Sequence, residues 1–254
     1  MQNKLALQKS VNRYLGHESG PRDRLRRTLQ DVAECLDDTF IFGGMIRELG
    51  LGNSRAFKSD IDIVSLSTRG EIYNAIKQYS PQLNKFGGYR FLVGTQLFDI
   101  WSFEDTWAFK AGLVKGSAAH DIFKTTFFNL DAAAFHVKPR RFACSDTYIE
   151  ALKLRLLDLN LQENPSPSGM VRRAIRMAIE NELLITRRLG EYILENLQGN
   201  DFDSFGAPFI RALDRYMCSE NSGHFSFEPQ PCLFDAASKS EAVKVRTNRG
   251  LLAA

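Results

Sequence analysis

The 254-residue sequence predicts an α/β (α+β) fold in which a compact domain with a small mixed sheet precedes a helical domain. Three observations carry this. From Asp60 to Ser102, apolar runs and one helical pattern follow one another in βαββ order. Within them, Asp60 to Leu66 alternates acids with aliphatics at the period of a strand. After Pro139 the texture changes to long amphipathic helical patterns. The expected domains are residues 1–140, a helical domain over 141–218, and a C-terminal loop or tail over 219–254.

The first element is a helix over Asp23 to Leu36, where Leu25, Leu29, Val32, Ala33 and Leu36 recur at helical spacing. Arg24, Arg26 and Arg27 fill its solvated face. Thr39 to Phe42 reads as a strand that stops at Gly43-Gly44 and passes into a helix at Met45 to Leu49. The glycine pair is either a plain turn or one that lets the backbone approach a ligand, with a helix N-terminus that favours phosphate. The strand from Asp60 to Leu66 follows, then a helix over Arg69 to Tyr79, and strands over Tyr89 to Val93 and Gln96 to Ser102. Tyr148 to Leu161 and Val171 to Leu197 read as long amphipathic helices separated by the breaker-rich Glu163 to Gly169. From Ser219 the periodicity fades.

Composition excludes several classes. The chain is 44% hydrophobic and 25% charged, ordinary for a globular protein, and its net charge of +3 is too mild to announce a nucleic-acid binder. Cys35, Cys144, Cys218 and Cys232 are scattered without disulfide or zinc spacing, which suggests reduced thiols in a cytoplasmic protein. The N-terminus lacks the apolar core of a secretion signal, and no stretch reaches the roughly 18 to 20 apolar residues that span a bilayer, so no membrane partner is expected. His17, His120, His136 and His224 form no HxxxH pair, and no serine sits in a nucleophile elbow.

The chemistry lies in the acids. Asp60 and Asp62 project from one face of a strand, and two such carboxylates repel unless a cation or donor offsets them. Mg²⁺ is the natural partner, and a two-metal centre needs about three acidic ligands. Asp99, in Gln96 to Trp101, is the candidate third ligand on a neighbouring strand. Trp101, Trp107 and Phe109 read as core or hinge in preference to base-stacking residues.

The run GGMIRELGLG (Gly43 to Gly52), followed by KSDIDIV (Lys58 to Val64), resembles the head-domain signature of class II tRNA nucleotidyltransferases and bacterial poly(A) polymerases, within the DNA polymerase beta superfamily. That signature is GG-x-V-R-D-x-L-L-G followed by D-x-D. Gly43, Gly44, Arg47, Gly52, Asp60 and Asp62 match it, and Glu48 stands where the family has Asp. Phe123 to Ala132 (FKTTFFNLDA) is similar to the family's R-R-D-F-T-I-N-A motif: Asn129 aligns and Lys124 replaces an arginine, while Phe123 and Thr125 depart and Asp131 is extra. Asn164-Pro165 with Val171 to Ala178 resembles the family's neck segment, with Arg173 and Arg176 the nearest equivalents of its base-selecting arginines.

The resemblance implies a nucleotidyltransferase head followed by a helical neck. Asp60, Asp62 and Asp99 would be catalytic and hold two Mg²⁺ ions. Gly43, Gly44, Arg47, Lys58, Ser59, Lys124, Asn129, Arg173 and Arg176 would bind a nucleotide triphosphate, ATP or CTP, in the cleft between the domains. The implied acceptor is an RNA 3′ end, tRNA first among candidates, which suits the basic Lys138 to Arg141 and Arg172 to Arg176 clusters. Arg187 and Arg188 read instead as helix-surface residues. Two alternatives stay open. One is transfer of AMP to a protein or small molecule, or synthesis of a nucleotide messenger; the other is a catalytically degenerate module that binds RNA or a protein partner.

Overall fold

The computed structural model describes residues 3–17, 20–53, 57, 59–116, 118–196 and 242–244. The chain divides into two compact units, Met1–Lys153 and Leu154–Ala254. Lys58 and the expected tail, apart from residues 242–244, lie outside the described residues. Among the described residues no helix is long and apolar enough to cross a membrane.

In the first unit the helices are α1 (Lys4–Leu15), α2 (Gly20–Cys35), α3 (Gly44–Leu51), α4 (Arg69–Ile76) and the short α5 (Trp107–Lys110), with α6 (Tyr148–Leu154) at its end. Its strands are β1 (Thr39–Phe42), β2 (Ile61–Ser65), β3 (Gln82–Leu83), β4 (Tyr89–Val93), β5 (Gln96–Ser102), β6 (Ala133–His136) and β7 (Arg141–Cys144). They form one mixed sheet in the order β3-β4-β5-β2-β1-β6-β7, in which β2 and β5 are parallel and the other neighbours antiparallel.

Register sorts the side chains. Ile41, Ile63 and Ile100 are cross-strand partners, as are Ile61, Phe98 and Phe91, and all are buried. Each contributes about 1.5–3 kcal/mol through removal from water; α2, α3 and α4 pack against these strands, and α1 packs against β7. The opposite face carries Phe42, Asp62, Asp99 and Arg90 in one cross-strand row. Local signals fix the flanks of this frame. Asn3 caps α1 by accepting from Ala6 N–H at 2.8 Å. Thr68 and Glu71 close a capping box at the start of α4.

Two expectations need correction. The helix expected over Tyr148 to Leu161 ends at Leu154, because Arg155 takes a left-handed φ of 52° and its carbonyl accepts from Leu184 N–H at 2.8 Å. That bond starts a parallel pairing of β8 (Leu156–Leu157) with β9 (Leu184–Thr186). The helix expected over Val171 to Leu197 is two, α7 (Pro167–Glu180) and α8 (Arg187–Asn196), with β9 between them. The break follows from Glu182, whose φ is 50°, and from Leu183 N–H, which turns back to Ala178 O at 2.9 Å. Leu183 and Ile185 are both buried, and β9 is the middle strand of a small sheet that also includes β10 (Ala242–Lys244).

The sheet of the first unit continues past residue 140. Arg141–Cys144 is an edge strand paired with Ala133–His136, so the sheet of the first unit is not complete before it. Gln8 accepts from Phe142 N–H, and Arg140 donates to Asn12 Oδ1 at 2.7 Å, which ties this edge to α1.

Candidate active site

Parallel pairing places Asp62 directly opposite Asp99, and Asp60 lies two residues before Asp62 on the same face. One oxygen from each of Asp60, Asp62 and Asp99 can be chosen so that all lie within 4.8 Å of one another. Asp99 is 8% exposed, and Asp60 and Asp62 are half-buried. Negative groups this close repel by about 1 kcal/mol per pair even in water, and by more where water is partly excluded. The donors are all hard carboxylate oxygens, the set that suits Mg²⁺ in preference to a softer ion. The residues therefore fit the divalent centre expected of them.

The structure adds a cation that sequence reading missed. Arg90, opposite Asp99 across the β4–β5 hairpin, donates from Nε to Asp99 Oδ1 at 2.8 Å and from Nη2 to Asp99 Oδ2 at 2.5 Å. Its Nη2 also reaches Asp60 Oδ2 at 3.5 Å. These bonds to Asp99, against the opposing effect of burial, hold the guanidinium pKa above its ordinary value. The signal was available. Gly94-Thr95 is a two-residue turn that sets Val93 opposite Gln96, and counting back from it sets Arg90 opposite Asp99.

The glycine turn abuts the carboxylates. Gly43 has φ 68° and ψ −133°, a conformation that a side chain would strain, and a Cβ there would stand 2.8 Å from Asp62 Oδ2. A Cβ on Gly44 would meet Ser59 Oγ at 3.3 Å. Ser59 Oγ in turn donates to Asp60 Oδ1 at 2.7 Å, while Gln96 Nε2 holds the Ser59 carbonyl at 2.9 Å. Gly43, Gly44, Ser59, Asp60, Asp62 and Asp99 are thus gathered in one place, at the N-terminus of α3.

The other expected nucleotide-binding residues are placed differently. Arg47 is 7% exposed, donates to the buried Asp131 and pairs with Glu48 at 3.2 Å. Burial opposes its charge, but Asp131 and Glu48 more than offset this and keep its pKa above the ordinary value. The pair fastens α3 to the turn Asn129–Asp131, so Asp131, extra in the sequence comparison, is the partner of Arg47. Asn129 is half-buried at the start of that turn. Lys124 is exposed and pairs with Asp121 at 2.7 Å. Arg173 and Arg176 lie in the second unit, exposed and three residues apart on α7. Arg188, by contrast, forks onto Asp158 at 3.2 and 3.1 Å, and Arg187 pairs with Glu191 at 2.9 Å.

Beyond the carboxylates the same face of the sheet is apolar. Phe40, Val64 and Ala134 pack with Phe103 and Ile122, and Trp101 and Phe109 pack against them. Trp101 meets Phe42 edge-on at 5.1 Å and donates from its indole to Thr106 Oγ1 at 3.2 Å. Trp101 and Phe109 are thus packing residues, in keeping with the sequence reading.

Neither a family profile nor a curated protein matches the sequence. Solved structures do match in fold. A Thermotoga maritima CCA-adding enzyme complexed with tRNA superposes with a TM-score of 0.55 over 86% of this chain and 50% of its own, at 17% identity. A CCA-adding enzyme with CTP gives 0.51 over 83% and 49%, at 19% identity. An apo tRNA-processing enzyme gives 0.53 over 82% and 59%, at 13% identity. The chain spans about half the length of the CCA-adding enzymes it matches, 50% and 49% for the two named. The mixed α/β architecture is therefore one this chain has in common with CCA-adding enzymes, as its glycine and D-x-D signatures lead one to expect.

Proposed function

We propose that the chain is a metal-dependent nucleotidyltransferase that moves a nucleoside monophosphate from an NTP, ATP or CTP, to the 3′ hydroxyl of an RNA, with tRNA the favoured acceptor. The observation that carries this reading is the convergence of Asp60, Asp62 and Asp99 beside the Gly43-Gly44 turn, on a fold similar to that of CCA-adding enzymes.

In this reading Asp60, Asp62 and Asp99 would hold two Mg²⁺ ions. When bound, such ions neutralise the triphosphate and lower the pKa of the attacking hydroxyl. The chain's own residues do the rest. The close approach of Gly43 to Asp62 leaves room for no side chain between the turn and the carboxylate, so the triphosphate can lie against backbone N–H groups at the start of α3. The acceptor oxygen bonds to the α-phosphorus, the bond from that phosphorus to the oxygen bridging to the β-phosphate breaks, and pyrophosphate leaves with the electron pair. Asp99 takes the hydroxyl proton. Arg47 acts from beneath by fixing the Asn129–Asp131 turn to α3, and Lys58, Lys124, Asn129, Arg173 and Arg176 are the further proposed nucleotide or RNA contacts.

The test is incubation of the protein, beside an Asp60→Ala, Asp62→Ala variant, with Mg²⁺, each labelled NTP in turn, and total RNA or a protein extract. Label on RNA 3′ ends from the intact protein alone supports the reading and names the base. Label on protein or in a small product instead establishes the alternative acceptor, and no aspartate-dependent label removes the enzymatic reading.

A further inference from the structure

Arg90 does something that the proposed chemistry leaves unexplained. A cation-binding carboxylate normally keeps its oxygens open to the ion, yet both Asp99 oxygens accept from Arg90, and the same guanidinium reaches Asp60. A divalent ion that engages Asp99 must compete with that fork. Arg90 is free to yield. Its side chain is 50% exposed, whereas that of Asp99 is 11% exposed, so the carboxylate is fixed and the arginine is not. The planar fork of Arg90 also suits phosphate oxygens as well as it suits a carboxylate.

Resting on the nucleotidyl-transfer reading, we propose that Arg90 couples metal entry to triphosphate entry. In the bare centre it holds Asp99 and Asp60 together and disfavours a metal ion arriving alone. When the ion arrives with a triphosphate, Arg90 exchanges the carboxylates for phosphate oxygens, and the centre closes around both. Arg90 is a positioning residue in this scheme. A single guanidinium leaves three carboxylates net negative, so the centre still attracts cations, but selectively those that bring an anionic partner for the arginine.

The scheme gives Arg90 opposite effects on two affinities, which a merely structural ion pair would not. Mn²⁺ binding is followed by electron paramagnetic resonance, first alone and then with inorganic tripolyphosphate, a probe that carries no base. In Arg90→Met, Mn²⁺ alone binds roughly three- to tenfold tighter, because a competing cation is gone. Tripolyphosphate at saturating Mn²⁺ binds roughly tenfold weaker, because a phosphate fork is gone. Arg90→Lys keeps the charge without the fork and shows the same two signs at smaller size, which preserves the test should the Met variant fold poorly. Unchanged affinities, or a shift of both in one direction, overturn the proposal while the metal centre stands. An intact protein that binds no Mn²⁺ even with tripolyphosphate present overturns both.

Discussion

Two arginine–carboxylate pairs of the first unit resemble one another in chemistry and differ in exposure. Arg47 and Asp131 are 7% and 5% exposed, with Glu48 as a further partner. Arg90 exposes half its side chain, and only its partner Asp99 is withdrawn from water. In the first pair both charges have lost hydration, so neither can leave without abandoning the other in a medium that punishes lone charge. In the second, the arginine can return to water at little cost. The same two functional groups thus make a fastening under α3 and a releasable contact at the Asp60, Asp62 and Asp99 cluster. Burial of the arginine, more than the bond lengths, decides which.

The largest effect belongs to the carboxylates themselves. Under the proposed function, Asp62→Asn should lower nucleotidyl transfer on the order of 10³-fold, since several kcal/mol of charge stabilisation would depend on the ions that Asp62 would help to hold. Its urea midpoint should be unchanged or higher, because it relieves repulsion among neighbouring carboxylates. A fall in transfer matched by an equal fall in folded protein would refute the catalytic assignment. Next comes Arg47→Met, which leaves Asp131 buried without its main counter-charge and should cost about 3–5 kcal/mol in urea denaturation. Adding Asp131→Leu should recover a large part of that loss. If the single variant loses activity with full stability, Arg47 contacts the nucleotide directly and is no fastening.

Gly43→Ala tests the seam between the two regions. The backbone there is in a conformation that costs a side chain about 1–3 kcal/mol, and the new Cβ would press on Asp62 Oδ2 from 2.8 Å. Stability should fall by that amount and Mn²⁺ affinity should fall with it. Loss of stability alone would mean that Asp62 gives way without harm to the centre.

What could be read beforehand followed the range of the interactions involved. The strands Tyr89–Val93 and Gln96–Ser102 were legible residue for residue, since alternation and a tight turn are local signals. So was the row of Asp60, Asp62 and Asp99, because strand period and parallel pairing put like positions on one face. The strands Ala133–His136 and Arg141–Cys144 went unread: Ala-Ala-Phe-His has little strand character of its own and gains it from pairing with β1. The expected helices after Tyr148 are too long because Ile185 continues the apolar face of Val171, Ala174 and Ala178 in sequence, while the backbone of Leu184 and Ile185 pairs with Leu156 and Leu157 as a strand. The resemblance implies a nucleotide-binding role for Arg47 through its match to the signature's arginine, and the ion pair that buries it could not be foreseen. Its partner Asp131 lies 84 residues away, a distance no local pattern spans.

The smallest expected effect separates the two arginines most directly. Arg90→Met without metal should change unfolding free energy by no more than about 1 kcal/mol, the range of exposed ion pairs. It loses bonds to Asp99 but also an arginine stem that must be ordered to make them. The effect should shrink further as salt rises past about 0.1 M, where the screening length is about 10 Å, because the guanidinium side of this pair faces water. The Arg47→Met penalty should hardly respond to the same salt, since ions cannot enter the space between α3 and the Asn129–Asp131 turn. Urea titrations of both variants at low and high ionic strength supply the check. Equal salt sensitivity would mean that exposure does not distinguish the pairs, and Arg90 would then be a second fastening with no freedom to release Asp99 to a metal ion.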